Sequence, residues 1–241
     1  MNLRALLMAL FLFQTALLSA DTTQVRADSA VFDGDTIILQ GQVHVSNESY
    51  QIHSHRATLL RDEERQSRLD FPWIELAEGV KATFYNKYFL ECDKVKADYL
   101  VHTLIFTSSG KVFFHDEKSK VYAERAEVDY DEEKGEFKVA KITLFGDVEL
   151  FSSNEEEKTE QYALADRVEC FPKEEVIFLK ADEGKRVLFF DKTREITISA
   201  EAVRASRREG KEIIEGLGDV RFIFKEEEFE KLKKRFALRN G

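Results

Sequence analysis

The chain is short of proline, cysteine and tryptophan, with two, two and one in 241 residues. Two cysteines far apart, Cys92 and Cys170, exclude a disulfide framework of the kind that staples small secreted domains. Whether those two pair with each other is left open, because spacing alone does not place two α-carbons within bonding range. Positive charge is also in deficit, with 36 Lys and Arg against 46 Asp and Glu, a net −10. That balance argues against a general nucleic-acid binder, which needs a basic surface for phosphate, and against direct adhesion to anionic lipid heads. No nucleophile elbow, phosphate-binding loop or zinc motif occurs, so no enzyme is expected, and no cofactor or metal. His53 and His55 share one strand face with His44 nearby, but without an acidic or thiol ligand beside them they read as solvated histidines. After the first twenty residues no apolar run is long enough to cross a bilayer, and no helical period appears before the C-terminus.

What is present begins with a targeting segment. "MNLR" is followed by "ALLMALFLFQTALLSA", an apolar core ending in small residues before Asp21. This is the layout of a secretory signal peptide over residues 1–20, with an uncleaved membrane anchor as the alternative. The mature chain is therefore expected outside the cytoplasm, in the periplasm of a double-membraned cell.

The remainder alternates. "TIILQGQVHV" places Ile37, Leu39, Val43 and Val45 on one side, the period of a strand with one dry face. Gly41 sits inside that strand, where glycine marks a bulge or bend. Similar glycines follow at Gly79, Gly110, Gly146, Gly184 and Gly218, spaced 31 to 38 residues apart and each trailed by a valine. Upstream of each lies a small–acidic–x–Ala/Val step. Asp28, Asp93, Glu124, Asp166 and Glu201 supply the acid, and His55 replaces it once. Acids at such spacing read as a structural position that satisfies turn amides. The expectation is six degenerate strand–turn–strand copies joined by short polar connectors, an antiparallel all-β architecture.

The dry face then comprises Ile37, Leu39, Val43 and Val45; Leu104, Phe106, Val112 and Phe114; Ile142, Leu144, Val148 and Leu150; and Ile214, Val220, Phe222 and Phe224. The wet face carries Gln40, Gln42, Lys111, Asp147, Glu149, Asp219 and Arg221. Finally, "KEEEFEKLKKRFALRNG" spaces Phe229, Leu232 and Phe236 at i, i+3 and i+7, which predicts an amphipathic C-terminal helix over 226–241.

With the run "VRADSAVFDGDTIILQGQVHVSNESYQIHSHRATL" on the page, the chain resembles the OstA-like family of lipopolysaccharide-transport proteins, over nearly all of residues 21–225. The resemblance implies an elongated, slightly twisted, open antiparallel β-jellyroll. Lipopolysaccharide is then the expected ligand, its lipid A acyl chains held by Ile37, Leu39, Val43, Val45, Leu104, Phe106, Val112, Phe114, Ile142, Leu144, Val148, Leu150, Val220 and Phe222. Such jellyrolls join end to end by edge-strand addition into a bridge between inner and outer membranes. The implied partners are other jellyroll components of that bridge or a second copy of this chain, through Val25–Phe32 and Val220–Phe224. A soluble periplasmic (LptA-type) role is expected. The alternatives are an inner-membrane-anchored (LptC-type) coupler to an ATP-driven exporter, and a β-repeat scaffold with a dry core and only protein partners.

Overall fold

The computed structural model of the chain describes residues 23–61, 72–100, 103–133, 136–154, 159–208 and 211–223. The signal segment and the C-terminal helix expected from the sequence lie outside these. Two short strands come first, β1 (Gln24–Arg26) and β2 (Ser29–Phe32). Long strands follow: β3 (Thr36–Ser46), β4 (Tyr50–Leu60), β5 (Trp73–Phe84), β6 (Tyr88–Leu100), β7 (Thr103–His115), β8 (Ser119–Glu133), β9 (Glu136–Asn154) and β10 (Thr159–Phe171). The rest are short again: β11 (Val176–Lys180), β12 (Val187–Asp191), β13 (Ile196–Ala200), β14 (Ala202–Arg208), β15 (Lys211–Leu217) and β16 (Arg221–Ile223). The one helix among the described residues is a 3₁₀ turn at Pro172–Glu174. All-β, as expected, the strands form one sheet in which every pairing is antiparallel.

The hairpin turns follow from local chemistry. The Asn47 carboxamide oxygen accepts from the Ser49 and Tyr50 amides at 2.8 and 2.9 Å. Asp116 does the same for Lys118 and Ser119, and Asp33 accepts from Thr36. These are the local bonds that make Asn and Asp turn formers. Between β5 and β6, Tyr85 and Asn86 are both left-handed, and the Lys87 amide donates to the Phe84 carbonyl at 3.0 Å to close the turn.

The long strands do not run straight. Register shifts interrupt the pairings at Gln40/Val43, Ala77/Val80 and Ser109/Val112, and at Tyr122/Arg125 where β8 meets β9. Each lies at one of the sequence glycines, all of which have positive φ. The intervening strands show why the upstream motif has its form. Along β6 the buried side is Leu90, Cys92, then Val95, and along β8 it is Val121, Ala123, then Ala126 and Val128. The inward period therefore slips from two to three across Cys92-Asp93-Lys94-Val95 and Ala123-Glu124-Arg125-Ala126. The small residue is the last inward one before the bend, Ala or Val is the first after it, and the acid and its neighbour both point out. Glycine strands and acid strands alternate, so their bends line up as a crease across the sheet.

The acid packs against the glycine. A side chain on Gly41 would meet the Asp28 carboxylate, one on Gly110 that of Asp93, one on Gly146 that of Glu124 and one on Gly218 that of Glu201. The Asp28 carboxylate also accepts from the Gln42 amide at 3.1 Å, the first amide past the bend. At Gly79 the contact is absent, and His55 Nδ1 lies 2.8 Å from the Glu78 carbonyl instead. At Gly184 the acid serves the loop, with the Asp166 carboxylate accepting from the Asp182 amide at 2.9 Å and from Lys185 Nζ at 2.6 Å.

The expected six degenerate strand–turn–strand copies are not what the sheet contains. Through β10 each long strand crosses the crease, but beyond it the sheet divides. The second half of β10 pairs β11, which leads to β14 and β15, while its first half pairs β12, which leads to β13 and β16. At the other end β1 and β2 pair the two halves of β3 separately. The result is two leaves joined at the crease, a jellyroll-like open arrangement. The leaves face each other: a side chain on Gly216 of β15 would touch Val220 and Ile198 of β13. One continuous buried cluster fills the space between them, from Leu39 to Ala205.

Candidate functional site

The interior between the leaves is where a lipid-holding face was expected, and most of the residues named for it are there. Leu39, Val43, Val112, Phe114, Ile142, Leu144, Val148 and Leu150 are buried in the continuous cluster, with Ile37, Val45, Ile214 and Val220 packed partly buried against it. Phe222 is a correction. It is 58 % exposed, because β16 is an edge strand three residues long with a single neighbour. The side chains of Leu104 and Phe106, and the whole of Phe224, lie outside the described residues.

The acid strands contribute as much of the interior as the glycine strands, and sequence reasoning missed them. Tyr50, Ile52, Tyr88, Leu90, Val121, Val128 and Tyr130 on these strands all face inward and are buried, as is Phe84 at the end of the glycine strand β5. The signal that could have found them is the two consecutive outward residues of the upstream motif, which shift the alternation by one.

The interior changes character along its length. On the tip of the leaf that follows the glycines, the first half presents Tyr50, Phe84, Tyr88 and Phe114, with Tyr88 and Phe114 stacked at 6.4 Å. Further on, the same inward row becomes Ser119, Ser152, Gln161 and Asp191, all buried. There the Gln161 carboxamide donates to Asp191 at 2.9 Å and to Glu212 of the opposite leaf at 3.3 Å. Arg194 lies 3.7 Å from Asp191 and 3.8 Å from Glu212, so a polar cluster ties the leaf tips together near the C-terminal end. Elsewhere among the described residues the inward side chains are apolar, hydroxylic or phenolic. Burial alone pushes the Tyr130 phenol far above its usual range.

Cys92 and Cys170 are both free and buried, which settles the pairing left open above. Desolvation pushes each thiol up to about 12, since a thiolate is poorly solvated in an apolar core. No group of three or more His, Cys, Asp or Glu among the described residues could hold a metal ion. His44 and His53 stack face to face at 4.2 Å on the outer surface, and His55 is engaged with the Glu78 carbonyl.

Among the described residues the two ends of the sheet are unpaired. β1 and β2 bond only to β3, while β15 bonds only to β14 and β16 only to β13. Exposed large apolar side chains gather at these ends: Val25, Val31 and Phe32 at one, Leu217 and Phe222 at the other. Edge strands in soluble proteins are normally blunted by charge or bulges, and apolar edges are templates for further pairing.

Fold and site together define an all-β, creased, open antiparallel sheet with an apolar interior and two free, greasy ends. No protein-family model matches the chain, and no curated protein does. Among solved structures it aligns with LptH of Pseudomonas aeruginosa, described as the LptA-homologous periplasmic component of the conserved lipopolysaccharide transport device. The alignment covers 85 % of this chain and 96 % of that one, at 11 % identity and a TM-score of 0.24. No helix among the described residues is long and apolar enough to cross a membrane.

Proposed function

We propose that this chain is a periplasmic lipopolysaccharide-transport protein. Its interior holds lipid A acyl chains between the leaves, and its ends pair with other jellyrolls, or with a second copy, in a bridge between the two membranes. The observation that carries the reading is the continuous apolar cluster from Leu39 to Ala205, flanked among the described residues by unpaired edges with exposed apolar side chains at both ends of the sheet. Each acyl methylene removed from water contributes about 0.8 kcal/mol, so a run of apolar surface moves such a lipid without chemistry. Addition of a strand at Val25–Phe32 or at β15 and β16 would continue that run into the next protein while satisfying the open backbone groups. In this reading the chain catalyses nothing and needs no cofactor, and residues 1–20 are removed on export. Intact mass of the exported protein separates this role from that of an anchored coupler.

A second reading has its own support. The interior residues are tightly closed, with Val112 and Phe114 each 2 % exposed. A dry scaffold with protein partners alone would look the same. Photo-crosslinkers at Tyr88 and Phe114, with one at the exposed Glu91 as control, decide between them in cells. Lipopolysaccharide adducts at Tyr88 and Phe114 but not at Glu91 are expected. Protein adducts alone, or equal lipid capture at Glu91, would refute the lipid reading.

A further inference from the structure

The outward face of the leaf that carries β12, β13 and β16, the second leaf, is buried where an outer surface should be wet. Thr197, Phe190, Tyr162 and Phe151 form one cross-strand row through β13, β12, β10 and β9, all pointing away from the interior. Phe190 and Tyr162 are each 4 % exposed and Thr197 is 3 % exposed. In the next row toward the crease, Leu164 and Tyr122 flank Glu149, a carboxylate 1 % exposed. Phe151, Tyr122 and Leu164 pack with Tyr162 and Phe190 as a second apolar cluster, separate from the core. The coverage stops there: farther along the same face Glu91, Lys81 and His53 are exposed.

We infer that this outer face is the docking site of the chain's own C-terminal segment, 225–241. The described chain reaches Ile223 in register with Thr197, the first member of the buried row. From β16 the face extends over β13, β12, β10 and β9 to β8, five strand spacings, or about 24 Å at roughly 4.8 Å each. Seventeen residues in a helix span about 25 Å at 1.5 Å per residue. The segment carries Phe229, Leu232 and Phe236 on one helical face, as an amphipathic helix laid into an apolar groove does. It also brings Lys231, Lys233, Lys234 and Arg235, cations of the sign that suits a face containing the Glu149 carboxylate. The N-terminal segment 1–22 is the poorer occupant. It ends beside β1, and six strand spacings, across the exposed His53, Lys81 and Glu91, separate it from Tyr122. Docked this way, the helix clasps the outside of the second leaf and leaves the edges of β15 and β16 open, rather than capping them.

The test uses the full chain. Benzophenone photo-crosslinkers replace Phe229 or Phe236, and in a separate protein Phe151. Tail probes should join to peptides containing Phe151, Tyr162 or Phe190, and the Phe151 probe should join to 225–241. In the variant Phe229→Ser/Leu232→Ser/Phe236→Ser, which alters none of the described strand residues, amide exchange over β10 and β12 should quicken at least tenfold. Crosslinks to residues 1–22, to another chain, or to nothing would overturn the inference. So would unchanged exchange in the triple variant.

Discussion

Replacing Gly110 by alanine tests what the crease glycines do. Its φ is +74°, and Lys111 beside it is also left-handed. An alanine held in that conformation costs about 1 kcal/mol. The new methyl would lie 2.1 Å from the Asp93 carboxylate oxygen, 2.6 Å from its carbon and 2.7 Å from the Asp93 Cβ. A rotamer change can withdraw the carboxylate but not the Cβ, so the strands must part, and overpacking of this kind costs about 1–3 kcal/mol. The expected loss for Gly110→Ala is therefore about 3 kcal/mol, or roughly 6–12 °C in melting temperature for a chain of this size. Gly79 is the internal control. Its φ is +82° and nothing lies within 4 Å of the position a Cβ would take, so Gly79→Ala bears only the backbone cost of about 1 kcal/mol. The double variant Asp93→Ala/Gly110→Ala should recover about 1 kcal/mol, because the nearest two atoms are gone. Urea denaturation followed by far-ultraviolet circular dichroism measures all three. Equal losses at Gly110 and Gly79, or no coupling with Asp93, would refute the view that each acid is built against its glycine.

Three further outcomes follow from the electrostatics. The ammonium of Lys180, at 2.5 Å, foremost holds the Glu169 carboxyl at about 2 against the opposing effect of burial, with Lys141 assisting. Its stabilisation is complete above the ordinary glutamate range near 4.3 and is lost as pH falls from there through about 2; Glu169→Gln should cost about 2 kcal/mol at pH 7 and flatten that acid limb in a pH series of denaturation midpoints. Burial, then the stacked His53 ring, then Arg26 across from it on β1 lower the His44 pKa, with Lys81 facing His53 from β5. A lowered histidine loses stability as pH falls through about 6.5, so His44→Gln should remove a drop in melting temperature between pH 7.5 and 5.5 that the parent chain shows. Native Cys92 and Cys170, with thiols near 12, should react with a maleimide on the order of 10³-fold more slowly than a free thiol at pH 8; prompt labelling of either by intact mass would contradict their burial.

The sequence by itself determined the all-β class, the outward and inward sides of the glycine strands, and the places where strands bend. Those are local properties. Alternation of period two, a glycine with its valine, and Asn or Asp at the turns each act through a few neighbouring residues. It also marked the free ends near Val25 and Val220, since the first and last strands of a meander have one neighbour each. Tertiary structure alone decided the rest. That each acid fills the space a glycine leaves open, Asp93 against Gly110 or Glu124 against Gly146, is a contact between residues 17 and 22 positions apart on paired strands. Division of the sheet after β10, which turns nominal repeats into two separate leaves and leaves Phe222 exposed, depends on which half of β10 each later strand finds. The buried outer row of Thr197, Phe190, Tyr162 and Phe151 is also invisible in one dimension. A side chain on the wet side of a strand becomes dry only through neighbours on other strands or a segment laid over it, and alternation carries no record of either.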